Sequence, residues 1–191
     1  MTRGALVDIV VKVGGGLLAS PGHLDAVLAE LASAASARRL LVIPGGGPFA
    51  DAVREVDREL TLSDEAAHWM AVLAMDQYAH LLVSRLRTGG IVSDAAAIAA
   101  QLDQGRLPVL APFRWLRDAD PLPHSWDVTS DSIAAWIAGE VGARRLVLVK
   151  PPGAGDQAVD PYFHRVMTPE MALPHVVAAD QIGALRGSLT V

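Results

Sequence analysis

Two lysines are the only ones in the chain, and each follows an apolar, β-like run. Lys12 lies two residues before Gly14, Gly15 and Gly16, whereas Lys150 is followed directly by two prolines. A flexible ammonium group beside glycine N–H groups is a common means of holding phosphate oxygens. The first pattern therefore indicates either a phosphate-binding loop or a plain turn between a strand and a helix.

A second run of three glycines, Gly45, Gly46 and Gly47, ends another apolar segment. Adjacent glycines leave the backbone N–H groups uncovered by side chains, so several of these groups can turn toward one anion. Arg54 lies on the helix predicted to follow and could add positive charge there. Neither glycine run matches the P-loop or the dinucleotide-binding pattern, so these two classes of loop are excluded.

The third pattern is the segment WDVTSDS, residues 126–132, which opens a predicted helix. Thr129 or Ser130 could cap this helix, and Asp131 in its first turn would then complement the helix dipole. Alternatively, Asp131 orients lysine and hydroxyl groups around phosphates. The residues alone leave both hypotheses open.

Apolar segments alternate with helical patterns between residues 6 and 150. This order is typical of a parallel sheet covered by helices on both faces, an α/β fold. Ligands of such sheets bind beyond the carboxyl ends of the strands, where both lysines and both glycine runs are predicted to lie. We therefore expect these groups to meet in one crevice.

The element boundaries follow from the hydrophobic periodicity and the turn residues. The predicted strands are 6–13, 40–43, 91–93, 107–111, 145–149, 176–179 and 188–191. The predicted helices are 24–36, 49–60, 62–87, 95–104, 129–141 and 169–173, with a loop at 114–125. Thr61 and Asp64 are predicted to cap the long helix, Gly89 and Gly90 to end it, and Asp94 to cap the next helix.

Composition excludes several classes of protein. The chain has 191 residues, 51% hydrophobic and 19% charged, which excludes intrinsic disorder. A net charge of -5 argues against a nucleic-acid partner, and the absence of cysteine excludes disulfides and thiol chemistry. The six histidines show no zinc-ligand spacing. No apolar run approaches the roughly 18 residues of a membrane span, and no signal-peptide pattern opens the chain, so we expect a cytoplasmic protein without a membrane partner.

Together, the three patterns resemble the amino acid kinase family, which includes acetylglutamate, aspartate, uridylate and isopentenyl phosphate kinases. The resemblance covers about residues 6–150 and rests on VVKVGGG, VIPGGGPFADAVR and VTSDSIAA, in that order. The stretch SWDVTSDSIA and the short chain look most like the kinases of furan phosphates in methanofuran biosynthesis. The resemblance implies a three-layer αβα sandwich with a central, mainly parallel sheet, and a homo-oligomer.

The resemblance also implies roles for individual residues. The catalytic residues would be Lys12, Asp131 and Lys150. The residues implied at the nucleotide are Gly14, Gly15, Gly16, Thr129, Ser130 and Gly153, and those implied at the acceptor are Gly45, Gly46, Gly47 and Arg54. ATP would be the donor and would carry Mg²⁺, with no metal site made by the protein. The single domain, 1–191, would bind the small-molecule acceptor mainly through about residues 1–125 and the nucleotide through about 126–191.

The last third of the chain departs from the family pattern. Residues 151–156 read PPGAGD where many relatives have an Asp-Gly turn, and no lysine follows Lys150 where many relatives have a second catalytic lysine. Lys150 itself or an arginine such as Arg165 would have to substitute. Gly16 also stands where many relatives have serine. We expect an ATP-dependent kinase of a small phosphorylated acceptor, and the alternative is a non-catalytic member that binds a nucleotide or oxyanion.

Two further observations concern the predicted long helix and the acceptor. The furan phosphate implied by the resemblance carries an amine, for which Asp57 or Asp76 is available as an acidic partner. His68, Val72 and Met75 share one face of the long helix. Packing in the core or between subunits is favoured over catalysis for that face.

Overall fold

The computed structural model describes residues 6–154, 159–167 and 174–190. Within these ranges one sheet of six strands runs through the chain, and all of its pairings are parallel. The strands are β1 (Ile9–Val13), β2 (Leu40–Pro44), β3 (Gly89–Val92), β4 (Leu107–Leu110), β5 (Arg145–Lys150) and β6 (His175–Ala178). They lie in the order β3-β4-β2-β1-β5-β6.

The helices connect successive strands and cover both faces of the sheet. A short 3₁₀ helix, Gly15–Ala19, follows β1. The α-helices are α1 (Pro21–Ala34), α2 (Gly47–Leu60), α3 (Asp64–Arg85), α4 (Ala95–Asp103), α5 (Phe113–Ala119), α6 (Ser130–Glu140), α7 (Phe163–Val166) and α8 (Ile182–Leu189). None of these described helices is both long enough and apolar enough to cross a lipid bilayer. The predicted αβα sandwich with a parallel sheet is confirmed.

The core lies on both faces of β1, whose five residues are all buried. Ile9, Val11 and Val13 pack in one cluster with α1, α8 and the second half of α3. Val10 packs in the opposite cluster with α6 and the first half of α3. Because α3 contributes to both layers, it is apolar on more than one side, as expected of a buried helix.

Several predicted boundaries are correct and others are wrong. Asp94 caps α4 by accepting a hydrogen bond from Ala97 N at 2.8 Å, as predicted. Thr61 does not cap α3: it ends α2 with a φ of 51°, and the Ser63 hydroxyl accepts from Ala66 N instead. Serine is an equally good capping residue, and Ser63 directly precedes Asp64, the first residue of α3. The cap therefore lies two residues after its predicted position at Thr61.

Three other predictions need correction. Gly89 and Gly90 do not merely end the long helix, because they already belong to β3. Residues 113–119 form α5, although 114–125 are predicted as a loop. Residues 188 and 189 end α8 and are not part of a strand, since Leu189 is buried against the layer that holds α1. The helix predicted at 169–173 lies outside the described residues.

Candidate active site

A cavity of about 260 Å³ opens where the parallel strands end. The central strand β1 lies between β2 and β5, so the loops after these strands start from one edge of the sheet. The lining residues that the sequence also indicates are Lys12, Gly15, Gly16, Gly46, Gly47, Arg54, Thr129, Ser130, Asp131 and Lys150. The expected crevice is therefore present, because parallel topology brings distant loops together.

The floor of the cavity holds two ammonium groups on one carboxylate. Lys12 Nζ lies 2.9 Å from Asp131 Oδ1, and Lys150 Nζ lies 2.5 Å from Asp131 Oδ2. The side chains of Lys12, Asp131 and Lys150 are 6%, 4% and 11% exposed. These three side chains thus carry two positive charges against one negative charge, away from bulk water, and the buried Asp160 carboxylate acts on Lys12 from further away. A buried excess charge is unfavourable unless an opposite charge joins it, so the cluster is suited to binding an anion.

The pKa shifts within the cluster follow from burial and mutual charge. Burial lowers the pKa of Lys12, and the charge of Lys150 lowers it further, although Asp131 opposes both effects. Burial by itself would raise the pKa of Asp131, but Lys12 and Lys150 outweigh that effect and leave it below its usual value. Asp131 is therefore ionised at neutral pH and is a weak proton acceptor.

The two glycine runs touch each other above the lysine cluster. A Cβ added to Gly15 would lie 2.0 Å from Gly47 N, so only glycine fits at position 15. Gly47 has a φ of +55°, a conformation that favours glycine. The helix α2 starts at this point. In its first turn Pro48 has no N–H and Ala50 N donates to Gly46 O at 3.3 Å, which leaves the N–H groups of Gly47 and Phe49 without a partner within the helix. Such a helix start at a cavity is well suited to holding phosphate oxygens.

Three predicted site glycines lie outside the cavity lining. The N–H groups of Gly14 and Gly45 donate to the carbonyl oxygens of Val149 and Val13, each at 2.8 Å, and so continue the sheet. These two N–H groups are already hydrogen-bonded within the sheet, and the predicted roles of Gly14 and Gly45 stay predictions. Gly153 lies in an exposed turn after β5, next to residues outside the described ranges, and its role stays a prediction.

A carboxylate that sequence analysis missed holds the turn before α6. Asp160 is buried and accepts from Thr129 N at 3.0 Å, Thr129 Oγ1 at 2.8 Å, Ser132 N at 3.0 Å and Ser132 Oγ at 2.5 Å. Thr129 is also the N-cap of α6, accepting weakly from Asp131 N at 3.4 Å. Asp160 thus engages both the N–H and the hydroxyl of Thr129, and the predicted nucleotide contact of Thr129 stays a prediction. Ser130 remains in the lining.

The side of the cavity beneath α2 is fixed by contacts with Trp126. The Arg54 guanidinium lies 4.8 Å from the Trp126 ring centre and pairs with Asp51 Oδ1 at 2.7 Å. Trp126 Nε1 donates to Asp57 Oδ2 at 2.8 Å. Arg54 lines the cavity as predicted, but Asp51 shares its charge. Arg58, one turn further along α2, is exposed and lies outside the lining.

The wall formed by α3 is mainly apolar and includes a buried histidine. His68, Val72 and Met75 border the cavity, so this face packs in the core and also faces the site. Sequence analysis did not select His68 as a site residue. Burial lowers the pKa of His68 to about 4, with a further lowering by His124, so the ring is neutral at physiological pH.

The sequence suggests two acids as partners of an amine and one arginine as a replacement for a second catalytic lysine, and all three lie outside the cavity lining. Asp57 is bound to Trp126, and Asp76 Oδ1 accepts from Phe113 N at 3.1 Å. Neither lines the cavity, which excludes both as direct partners of an amine bound there. Arg165 is exposed and lies over the Tyr162 ring at 5.6 Å, also outside the lining. Lys150 therefore supplies the second ammonium group of the site.

Comparison with curated proteins finds a similar kinase. The chain is 27% identical over 141 residues to the [5-(aminomethyl)furan-3-yl]methyl phosphate kinase of Methanocaldococcus jannaschii. The similar region is 73% of this chain and 63% of that relative. The chain thus spans a little under two thirds of the relative's length.

The chain is also similar to two solved structures and matches one family model. The uridylate kinase of Archaeoglobus fulgidus matches with a TM-score of 0.71 and 15% identity, over 95% of this chain and 96% of that one. The UMP kinase of Bacillus anthracis matches with a TM-score of 0.63 and 15% identity, over 94% and 90%. These likenesses show the fold. The family model described as the amino acid kinase family matches residues 9–151, and the chain belongs to this family.

Proposed function

We propose that the protein is a cytoplasmic kinase that transfers the γ-phosphoryl group of ATP to a small acceptor that already carries a phosphate. The observation that carries this proposal is the buried cluster of Lys12, Asp131 and Lys150, whose excess positive charge suits phosphate oxygens. Membership of the amino acid kinase family supports it. The activity in the name of the curated relative supports it as well.

The cavity fits the phosphates of ATP and of an acceptor on chemical grounds. In this proposal the ATP phosphates lie over Gly15 and Gly16, and the acceptor phosphate lies at Gly46 and Gly47, at the start of α2. Lys12 would then contact oxygens of both. Mg²⁺, bound to the ATP phosphates, would neutralise part of their charge. The nucleotide would be bound mainly by residues after 125 and the acceptor mainly by residues before 126.

The proposed transfer is a displacement at the γ-phosphorus. An oxygen of the acceptor phosphate forms the new bond to the γ-phosphorus, and the bond from this phosphorus to the β–γ bridging oxygen breaks. The products are ADP and a diphosphate. The transition state spreads charge over phosphoryl oxygens, which fixed cations and N–H groups stabilise. An anionic phosphate needs no base to deprotonate it, which suits a cluster whose carboxylate, Asp131, is a weak base.

The second candidate function is binding of a nucleotide or oxyanion without catalysis. It is favoured by the PPGA sequence after β5 and by the absence of any lysine after Lys150. In that case Lys150 would hold Asp131 and the anion but would not assist transfer. ATP binding without phosphoryl transfer to any acceptor would favour this function.

We expect the acceptor to be a phosphate monoester, and the furan methyl phosphate of methanofuran-type biosynthesis is the proposed compound. The measurement is a coupled ATPase assay with acceptors that share a furan ring and differ in carrying an alcohol, a carboxylate or a phosphate monoester. ADP formation should depend on the phosphate monoester, and the product should be a diphosphate by mass spectrometry. Turnover with the carboxylate and none with the phosphate would contradict the proposal.

We further propose that the protein is a homo-oligomer that associates through α3. Met70 and Leu73 on this helix are 36% and 41% exposed, unusual values on a helix whose other large apolar side chains are buried or half-buried. Light scattering at micromolar concentration should therefore give a mass that is a multiple of 20.1 kDa. Leu73→Arg should lower that mass, because a charge in an apolar interface is unfavourable. A monomeric mass for the unmodified protein would contradict the proposal.

A further inference from the structure

His68 offers an unpaired ring edge to the cavity. The residue is 9% exposed, and its ring stacks on His124 at 4.4 Å and meets Trp69 edge-on at 4.8 Å. No hydrogen bond links the His68 ring to any of the described residues. Buried polar groups are normally hydrogen-bonded, so a ring held in place but left without a protein partner is suited to a ligand.

Asp64 lies one helical turn before His68 and also lines the cavity. Residues four apart on a helix lie on the same face, so both side chains are directed to the same part of the wall. The other acids of the lining are paired: Asp51 with Arg54, and Asp131 with the two lysines. Asp64 is exposed and has no hydrogen bond or ion pair with the residues described, so it is the unpaired acid among the described residues of the lining.

The position of Asp64 has a simpler explanation as well. Acids are favoured in the first turn of a helix because they complement its dipole, and Glu65 is a second acid in that turn. The dipole explains neither the buried, unpaired ring of His68 nor the fact that both residues border the same cavity. A ligand that contacts both side chains would account for their placement at one cavity.

We propose that Asp64 and His68 bind the protonated amine of the acceptor, a proposal that rests on the kinase function above. A primary ammonium has three N–H donors and no acceptor, so it needs acceptor atoms around it. The Asp64 carboxylate supplies charge and acceptor oxygens, and a neutral imidazole supplies one acceptor nitrogen. A phosphate or carboxylate in this position would be repelled by Asp64. The acceptor is thus a zwitterion, with its phosphate at the lysine cluster and its ammonium at α3.

The rest of the wall agrees with such a ligand. Ala67, Ala71 and Val72 present small apolar surfaces next to His68, which suit a compact ring joining the two charged groups. The name of the curated relative describes a substrate with an aminomethyl group on a furan ring. The lining of this cavity and the chemistry in that name are compatible.

The test compares two phosphate-monoester acceptors that differ only in an aminomethyl or a methyl group on the furan ring. For the unmodified protein, Asp64→Asn and His68→Phe, kcat/KM is measured with each acceptor. The preference for the amine is the ratio of kcat/KM for the aminomethyl compound to that for the methyl compound. We expect each variant to lower this ratio at least about tenfold, mainly by raising KM for the aminomethyl compound, with little change for the methyl compound. Glu65→Gln is the matched control, because it removes a charge from the same helical turn without touching the cavity.

The outcomes separate this proposal from the proposed function. An unchanged amine preference in both variants, or an equal loss with both acceptors, would overturn the ammonium site while leaving the kinase function intact. Failure of the unmodified protein to phosphorylate either acceptor would instead count against the kinase function. In that event, calorimetric titration with the same two compounds determines whether Asp64 and His68 bind an ammonium group. Binding that favours the amine and loses this preference in Asp64→Asn supports it, and equal binding of both compounds overturns it.

Discussion

Lys12→Ala is expected to lower kcat by about 10²–10³-fold, the scale on which one preorganised donor to a transition state contributes. In the proposed reaction the Lys12 ammonium contacts oxygens of both donor and acceptor, where charge develops. Folding should be preserved. The variant removes the excess positive charge of the buried cluster and leaves Lys150 paired with Asp131.

The measurement is steady-state kinetics together with the thermal midpoint of the same preparation. Arg114→Ala is a suitable control, since Arg114 is an exposed cation on α5 and does not line the cavity. A folded Lys12→Ala protein with the kcat of the unmodified protein would contradict the proposed role. A lower midpoint with unchanged kcat would mean that Lys12 is a structural residue only.

Asp131→Asn is expected to reduce kcat at least about 100-fold, because the substitution keeps the shape of the side chain and removes the charge that holds both lysines. If Asp131 served only the helix terminus, asparagine would be nearly as good and activity would persist. The structure already gives the capping role to Thr129, whose hydroxyl accepts from Asp131 N. The measurement is kcat well below the thermal midpoint of the variant, so that the loss of activity is that of folded protein.

The stability of Asp131→Asn should depend on pH in a defined direction. Removing one partner of a buried ion pair costs about 3–5 kcal/mol when the remaining charge stays. Burial already lowers the pKa of Lys12, and loss of the carboxylate would lower it further, so the folded variant would release a proton more easily than the unfolded chain. The stability deficit should thus be largest around neutral pH and shrink as pH rises through the pKa of the folded lysine. It should also shrink in acid, because protonation of Asp131 removes the same charge from the unmodified protein. A deficit that grows as pH rises above neutrality would contradict this account.

The convergence of the lysines and the glycine runs could be predicted from the sequence because it depends on topology alone. Apolar strands in alternation with helices give a parallel sheet, and a parallel sheet puts all strand ends at one edge. Lys12, Gly15 and Gly47 each follow from that rule. The rule does not say where an individual N–H group points, so it gives no sign that the N–H groups of Gly14 and Gly45 complete the sheet.

Other parts of the site could not be predicted because they depend on tertiary contacts. Asp160 reaches the start of α6 from a segment without periodicity, and nothing in its spacing from Thr129 and Ser132 signals the contact. His68 shares its helix face with core residues, so its pattern is the same whether it borders a cavity or packs against side chains. The short helix α5 follows Pro112 and is too brief to show a clear 3.6-residue period.

The strand order has a consequence for how the chain is made. The first strand, β1, is central and pairs with β5, which the ribosome delivers only late in synthesis. Until then β1 has one open edge, and Lys12 emerges without Asp131 to accept its charge. An incomplete sheet with an unpaired central strand is prone to wrong association. We therefore expect the portions before and after residue 125 not to fold independently, and the candidate site to assemble only when the last third of the chain closes the sheet.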